Sequence, residues 1–545
     1  MQFWHPIALR IGALPARRVT WALVALFSLW VLGDVFVFKL TGGLARSSFD
    51  TMVRNRVVVA APDPRIVIID IDEASLARMA KEFGRWPWPR DTLATVLEHI
   101  EQQQPAAIAW DILFSDADRL SPGGDAAFNQ AVSRSTHSHF SIVRLPAAND
   151  AVSQITQAAL PGLWVDRPQG AAQTLPAKKP ATVALIAPAL PAVAAAPLGY
   201  NNGYVDSDGV LRRYRYLEPL ADGSAIQSLA LGVARSVNPQ AYQSVLANSA
   251  FTPPPNDELI AWRRQSGAYP RVSFADVFAQ AEGDQPTGAV PSFAGKVVII
   301  GSTAPSLFDI HPTPLSQMQT GVESLATAID NVLHQRHLAE LPRWLQAALA
   351  IILCIALALW VQYQSAASLA PALVPLPVAL IVISYLSLNL LPVFLDLHLA
   401  AALALAFLSV LHYWSALHRN HWCSPPPPTP QPLAAWSWRR DDAWTEAPLD
   451  RLIDAVEHCA PDCRVVVCDS PSAPLRWPEF ARFAAVVGPS DALHAARPQL
   501  EAELLRLAQP CGSPLSLSQA ADREALAGSV WAMWEKFLNP EQRPS

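Results

Sequence analysis

The chain has 545 residues, 51% of them hydrophobic and only 16% charged. That balance fits a membrane protein that carries sizeable soluble parts in two or three domains. A net charge of -6 and the lack of any Lys/Arg-rich run exclude the electrostatic footprint of a nucleic-acid-binding protein, so the bilayer is the first partner read from composition.

Taken in chain order, residues 1–18 carry Arg10, Arg17 and Arg18 with no acidic residue. They predict a cytoplasmic N-terminus ahead of a first transmembrane helix at 19–38, whose apolar core is too long for a cleaved signal peptide. Asp34 lies in the outer third of that span, where it must either reach water or pack against protein. Residues 39–342 form the large outer domain. In it "RIVIIDID" (65–72) and "PAAIAWDILF" (105–114) read as continuous apolar strands, and "EASLARMAKEFG" and "RDTLATVLEHIEQQQ" between them have helical spacing. Continuous rather than alternating apolar strands belong to a sheet covered on both faces, so the domain is predicted to be α/β, a mixed, largely parallel sheet with flanking helices.

Between those two helices, "FGRWPWPRDT" (83–92) reads as a rigid corner in which Pro87 and Pro89 hold Trp86 and Trp88 extended. An Ala/Pro-rich stretch at 154–198 precedes "NNGYVDSDGVLRRYRYLEPLADGS" (201–224), a turn and hairpin, and then the helix "AIQSLALGVARSV". "FAGKVVIIGSTAPSLFDIHPTPL" (293–315) is a third buried strand running into a Gly-Ser-Thr turn, and "GVESLATAIDNVLHQRHL" (321–338) is an amphipathic helix leading almost directly into the second span.

Three further transmembrane helices are predicted at 343–363, 371–391 and 396–416, followed by a Pro-rich linker at 417–435 and a small α/β cytoplasmic domain at 436–545. Four crossings return the chain to the cytoplasm. Cys423, Cys459, Cys463, Cys468 and Cys511 all follow the fourth span while the outer domain has no cysteine, which suits a reducing compartment for the tail and an oxidising one for the loop.

Several residues are candidates for ligand binding. Asp70, Asp72 and Asp111 end or follow the first two strands and Asp309 follows the third, at the edge where open parallel sheets bind ligands, here a cation or a polar molecule. The alternative is that Asp72 caps the next helix and the others bind loop amides. Ser302 and Thr303 sit in a turn whose amides suit an anion. Trp86, Trp88 and Arg90 could line a pocket. Arg213, with Arg212 and Arg215, is expected to lie solvated on the surface, with pairing to carboxylates or contact with an anionic ligand as the alternatives. "DSDG" (206–209) reads as a hairpin turn rather than a calcium loop. In the tail, His458, Cys459, Cys463 and Cys468 lack a zinc spacing, and Asp469 lacks the acidic pair of a receiver domain. No catalytic residue, metal or cofactor is assigned.

The motifs "DPRIVIIDIDEASL", "GRWPWPRDTLATVLEHI", "PAAIAWDILF", "GYVDSDGVLRRYRY", "SLALGVARS", "VSFADVFA", "GKVVIIGSTAPSLFDIHPTPL" and "GVESLATAIDNVL", in this order, closely resemble the second class of CHASE domains (CHASE2). These are extracytoplasmic sensory modules of bacterial membrane receptors. The resemblance covers about residues 40 to 340 and implies sensing outside and signalling inside, with one span before the module and three after. The tail matches none of the nucleotide cyclase, protein kinase or histidine kinase outputs common in that family, and it has no Walker-type or kinase Gly-rich loop. The chain is therefore expected to be a multi-pass sensor of the bacterial inner membrane, its large loop periplasmic and both termini cytoplasmic. It would detect a small-molecule or protein cue and signal through a non-catalytic interaction domain to a cytoplasmic partner, with homodimerisation as one way to transmit the change. The alternative is an enzyme, with a divergent cyclase-like domain in the tail.

Overall fold

The computed structural model describes residues 12–118, 121–165, 182–220, 224–248, 257–263, 267–424, 426, 432–468, 478–517 and 523–538. Arg10, Asp469 and most of the polyproline run at 424–432 lie outside the described residues. The chain divides into two compact units. One comprises Gly43–Leu341 with Ser384–Leu395, and the other comprises Met1–Gly42, Pro342–Ile383 and Asp396–Ser545.

The chain enters through α1 (Ala16–Gly33), which runs on as one π-helical stretch, Asp34–Phe38. Asp34 is buried and folds back on the end of this segment, accepting from the amides of Leu40 (2.8 Å) and Thr41 (3.2 Å) and from the Thr41 hydroxyl. Its carboxylate therefore satisfies two backbone amides in the short connection between this segment and the next helix.

In the first unit, α2 (Gly42–Arg54) leads to β1 (Ile66–Asp70), α3 (Glu73–Phe83), α4 (Arg90–Glu101), β2 (Ala107–Trp110), α5 (Pro122–Arg134) and β3 (Ser138–Arg144). Then come β4 (Leu198–Tyr200), β5 (Arg213–Arg215), α6 (Leu229–Val237), β6 (Asp257–Ile260), β7 (Arg271–Ser273), α7 (Phe274–Glu282), β8 (Val297–Gly301), α8 (Gly321–Leu333) and β9 (His337–Glu340). The principal sheet has the order β7-β1-β8-β2-β3-β4, with every one of these pairs parallel. Leu185–Ile186 adds one antiparallel edge to β3.

Every residue of β1, β2 and β8 is buried. Val67, Ile69, Ile108, Trp110, Val298 and Ile300 join the α4 residues Leu93, Val96 and Leu97 in one core, while α6 and α8 pack on the sheet from elsewhere in the chain. Helices on both faces explain why these strands are apolar throughout.

The Trp86–Pro87 bond in the corner between α3 and α4 is cis. Gly84, at φ 78, ends α3 in a conformation that a side chain disfavours. A second, smaller sheet runs Val393–Phe394, β9, β6, β5, so the turn at 384–395 supplies a strand to this unit.

Among the described residues four helices are long and apolar enough to cross a membrane, Ala16–Phe38, Arg343–Tyr363, Ala367–Leu390 and His398–Trp422, and apart from the end of the third, from Ser384 on, they belong to the other unit. The last three are α9 (Arg343–Tyr363), a 3-10 stretch leading into α10 (Pro375–Leu390), and α11 (His398–Trp422). Val31, Cys354, Leu403 and Phe407 are among the residues packed between them.

The tail then runs β10 (Leu433–Arg439), α12 (Glu446–Cys459), β11 (Arg464–Val467), β12 (Phe483–Pro489), α13 (Ser490–Leu504), β13 (Gln509–Leu517) and α14 (Arg523–Leu538). Its sheet has the order β11-β12-β10-β13 and is antiparallel throughout. Helices and strands are both present as expected, but no pair in this sheet is parallel. The predicted linker at 417–435 is shorter than read, because α11 extends to Trp422 and β10 begins at Leu433. Along β10, Ala434, Trp436 and Trp438 face one core while Leu433 and Ala435 face the other, where Trp534 bonds Ser437 at 2.8 Å.

Candidate functional site

The strand ends of the parallel sheet gather most of the candidate carboxylates. Asp70 closes β1 opposite Gly301 of β8. Thr303 donates its amide (2.9 Å) and its hydroxyl (2.5 Å) to the Asp70 carboxylate. Arg271 of β7 lies 4.0 Å away and bonds the buried Glu323 of α8. Burial raises the Asp70 pKa, and the Thr303 bonds and Arg271 oppose that rise. Asp72 is the N-cap of α3, accepting from the Ser75 amide at 2.7 Å. Ser302 donates to the Ile71 carbonyl at 2.8 Å. At this corner the polar side chains are committed to loops and caps.

Asp111, just past the end of β2, is different. Its Oδ1 accepts from Asn201 Nδ2 at 2.8 Å, and Asn201 Oδ1 accepts from the Tyr214 hydroxyl at 3.1 Å. Its Oδ2 is buried and accepts no hydrogen bond among the described residues. Burial first, and then the neighbouring Asp309 carboxylate, push the Asp111 pKa up to about 7, while the Asn201 bond and His311 pull it down. Gly301 makes the approach possible, because a Cβ there would stand 3.1 Å from Asp111 Cβ and 2.8 Å from Val322 Cγ2.

Asp309 and His311 complete the group, 3.6 Å apart and half-buried. The adjacent Asp309 carboxylate raises the His311 pKa, against the opposing effect of partial burial. The Asp309 carboxylate rests where a Gly321 Cβ would be, 2.2 Å from that position, at the start of α8. A negative group is favoured there by the helix dipole. A carboxyl whose pKa is pushed up to about 7, with one oxygen lacking a donor among the described residues and a His/Asp pair beside it, can accept a hydrogen-bond donor or a cation.

The remaining candidates lie elsewhere. Trp88 is 2% exposed, in T-shaped contact with Trp86 (4.9 Å between ring centres) and 5.2 Å from Phe274. Arg90 bonds Asp125 and the Asp116 carbonyl and lies 5.6 Å over the Phe114 ring. Arg213 sits in the smaller sheet and pairs with Glu340 at 2.7 Å. The expectation of surface solvation is overturned for Arg212, which is 2% exposed and held by Asp50, Asp206 and Asp208 at 2.7 to 2.8 Å. The turn at 206–209 is closed by Gly209, which donates to the Asp206 carbonyl at 2.8 Å.

Sequence reasoning passed over Asn201, Tyr214, His311, Arg271 and Glu323. His311 was within reach, two residues after Asp309, and Asn201 opens a quoted motif; nothing in the sequence ties Arg271 to Asp70, because β7 is only three residues long.

No curated protein and no solved structure matches the chain. The CHASE2 domain profile matches residues 21–360, taking in both the parallel sheet with its carboxylate edge and the first two apolar helices. The chain belongs to the CHASE2 family, whose domain is an extracytoplasmic sensory domain.

Proposed function

We propose that the chain is a bacterial inner-membrane sensor with its 43–341 segment in the periplasm, four spanning helices and both termini in the cytoplasm. One observation carries the topology. The two short connections between spans divide between the two units in the way that four alternating crossings require. The connection at 384–395 joins the sensory unit: Asn389 Oδ1 accepts from the amides of Val57 (2.8 Å) and Val58 (3.2 Å), and Tyr385 donates to the Asn55 carbonyl at 2.7 Å. The connection after α9 instead meets the tail, where Asp450 accepts from the Ala367 amide at 3.1 Å and Arg451 donates to the Gln364 carbonyl at 3.1 Å.

The cue is a small polar molecule or cation received at Asp111, Asp309 and His311. α8 begins against Asp309 and is followed by β9 and then α9, so a change at its start has a continuous covalent path to the second span. Such a cue signals only if it binds two arrangements unequally. The tail acts as an interaction module for a cytoplasmic partner, with a homodimer as the signalling form. A cyclase needs metal-binding carboxylates on neighbouring strands, and the sequences of β10, β11, β12 and β13 contain none.

Alkaline phosphatase fusions test the topology. Activity is expected for a fusion at Gly283, in the sensory unit, and none for a fusion after residue 538. The reverse pattern, or activity at both, overturns it.

A further inference from the structure

One side-chain group lies within the other unit, where α11 meets the first helix of the tail. A ring nitrogen of His418, on α11, and one carboxylate oxygen each from Asp454 and Glu457, on α12, lie within 4.8 Å of one another. Asp454 and Glu457 are three residues apart, so both project from one face of α12. Among the described residues the cysteines of the tail form no such group.

His418 supplies the independent sign of a ligand. Its Nδ1 lies 2.7 Å from the Gly12 carbonyl, and a carbonyl only accepts, so Nδ1 carries the proton. That leaves Nε2 as a lone-pair donor. Nε2 is buried, has no hydrogen-bond partner among the described residues, and belongs to a side chain only 3% exposed. A buried acceptor with no donor is costly to keep. A ring whose Nδ1–H is fixed by a backbone carbonyl is the arrangement in which histidine presents Nε2 to a metal. The ring is also held in place by stacking on Trp414 at 4.7 Å and by Trp422 at 6.2 Å.

We propose that His418, Asp454 and Glu457 form a binding site for a divalent first-row cation, zinc by preference, that ties the end of the fourth span to the tail. A triangle of 4.8 Å sides has its centre about 2.8 Å from each corner. Zn–N and Zn–O bonds are about 2.0–2.2 Å, so movements of under about 1 Å per ligand close the site.

The surroundings suit a cation. Arg419, the nearest basic group on α11, is engaged by Asp450 at 3.2 Å and Glu446 at 3.3 Å. Arg18 lies close enough to act electrostatically on Glu457. Asp454, Glu457 and the exposed His458 also line an open cavity of about 390 Å³ with Pro15, Arg17 and Gln362, which gives the ion an entry path and room for water in an open coordination position. Three mixed N/O ligands with a vacant place are typical of zinc, and imidazole disfavours calcium and magnesium.

The test uses the full chain in detergent micelles, stripped with chelator and titrated with Zn²⁺ by calorimetry. One ion per chain is expected, with Asp454→Asn and Glu457→Gln each weakening binding at least tenfold, since loss of even an outer-shell partner costs about 10–100-fold. Both positions are at least partly exposed, so both variants are expected to fold. Cys459→Ser is the control and should bind as the parent does. No binding by the parent overturns the proposal. So does binding that survives both carboxylate substitutions, or that is lost in Cys459→Ser alone.

Discussion

The Trp-Pro corner at 83–92 and the carboxylate edge of the parallel sheet belong to the same unit and are equally conspicuous in sequence, yet their side chains stand in opposite conditions. Trp88 is enclosed against Phe274 and Trp86, and Arg90 is bound to Asp125 and Asp116. At the edge, Asp111 keeps a buried oxygen with no donor among the described residues, beside a half-buried Asp309 and His311. Residue type therefore nominates a site, but unfilled bonding capacity selects among the nominees. A group already paired can hold a fold together, while a group left wanting a donor must be relieved by a proton, a cation or a ligand.

The largest expected effect is at the corner. Trp88→Ala removes a side chain that is 2% exposed and should cost about 3–5 kcal/mol in the unfolding of the solubilised chain. An unchanged melting temperature together with a lost response would make the corner a ligand site and break the comparison.

Next comes Asp70→Ala. It strips the Thr303 amide and hydroxyl of their acceptor and should destabilise by about 2 kcal/mol. The cost should fall by less than half in Asp70→Asn, which keeps one acceptor oxygen.

Asp111→Asn should act in the opposite direction. The folded pKa of Asp111 is raised to about 7, against about 4 in an unfolded chain. The folded state thus holds a proton that the unfolded state releases across that window. Stability from this group is complete below about pH 4 and is lost as pH rises through 7. Asparagine keeps the bond to Asn201 and carries no charge to bury. A gain on the order of 1–2 kcal/mol is expected at pH 8, after allowing for solvent screening, fading to nothing near pH 4. A loss at pH 8 would mean that the charged form is paired by something other than the groups described.

How much of this was legible in sequence follows from the range over which each signal acts. The strands Ile66–Asp70, Ala107–Trp110 and Val297–Gly301 were readable because burial on both faces writes an unbroken apolar run. Asp72 was readable as a cap because capping is local. The strand Arg271–Ser273 was not, since three residues carry no period. Nor was Leu433–Arg439, whose two Trp and three Ala/Leu positions alternate between two cores just after a proline run. The bonding state of Asp111 was beyond reach. It depends on Asn201, Tyr214, Asp309 and His311, which are brought to it by strands far apart in the chain. The same holds for Arg212, whose three aspartate partners include Asp50, 162 positions away.

The smallest expected effect separates the two causes of the Asp111 shift. Asp309→Asn removes the second-largest contribution, the like charge, and leaves the largest, burial, in place. The pH at which the melting temperature falls should therefore move down from that of the parent, yet stay well above the ordinary carboxylate range, because desolvation still penalises the ionised form. The His311 pKa should fall at the same time, since Asp309 is the largest cause of its rise, and a proton NMR titration of that imidazole reads this separately. If the melting profile instead collapses to that of an ordinary aspartate, repulsion between Asp111 and Asp309 dominates, and a cation shared by the two carboxylates becomes the natural ligand. If it does not move at all, Asp111 is governed by burial alone, and a neutral hydrogen-bond donor fits the vacant oxygen better.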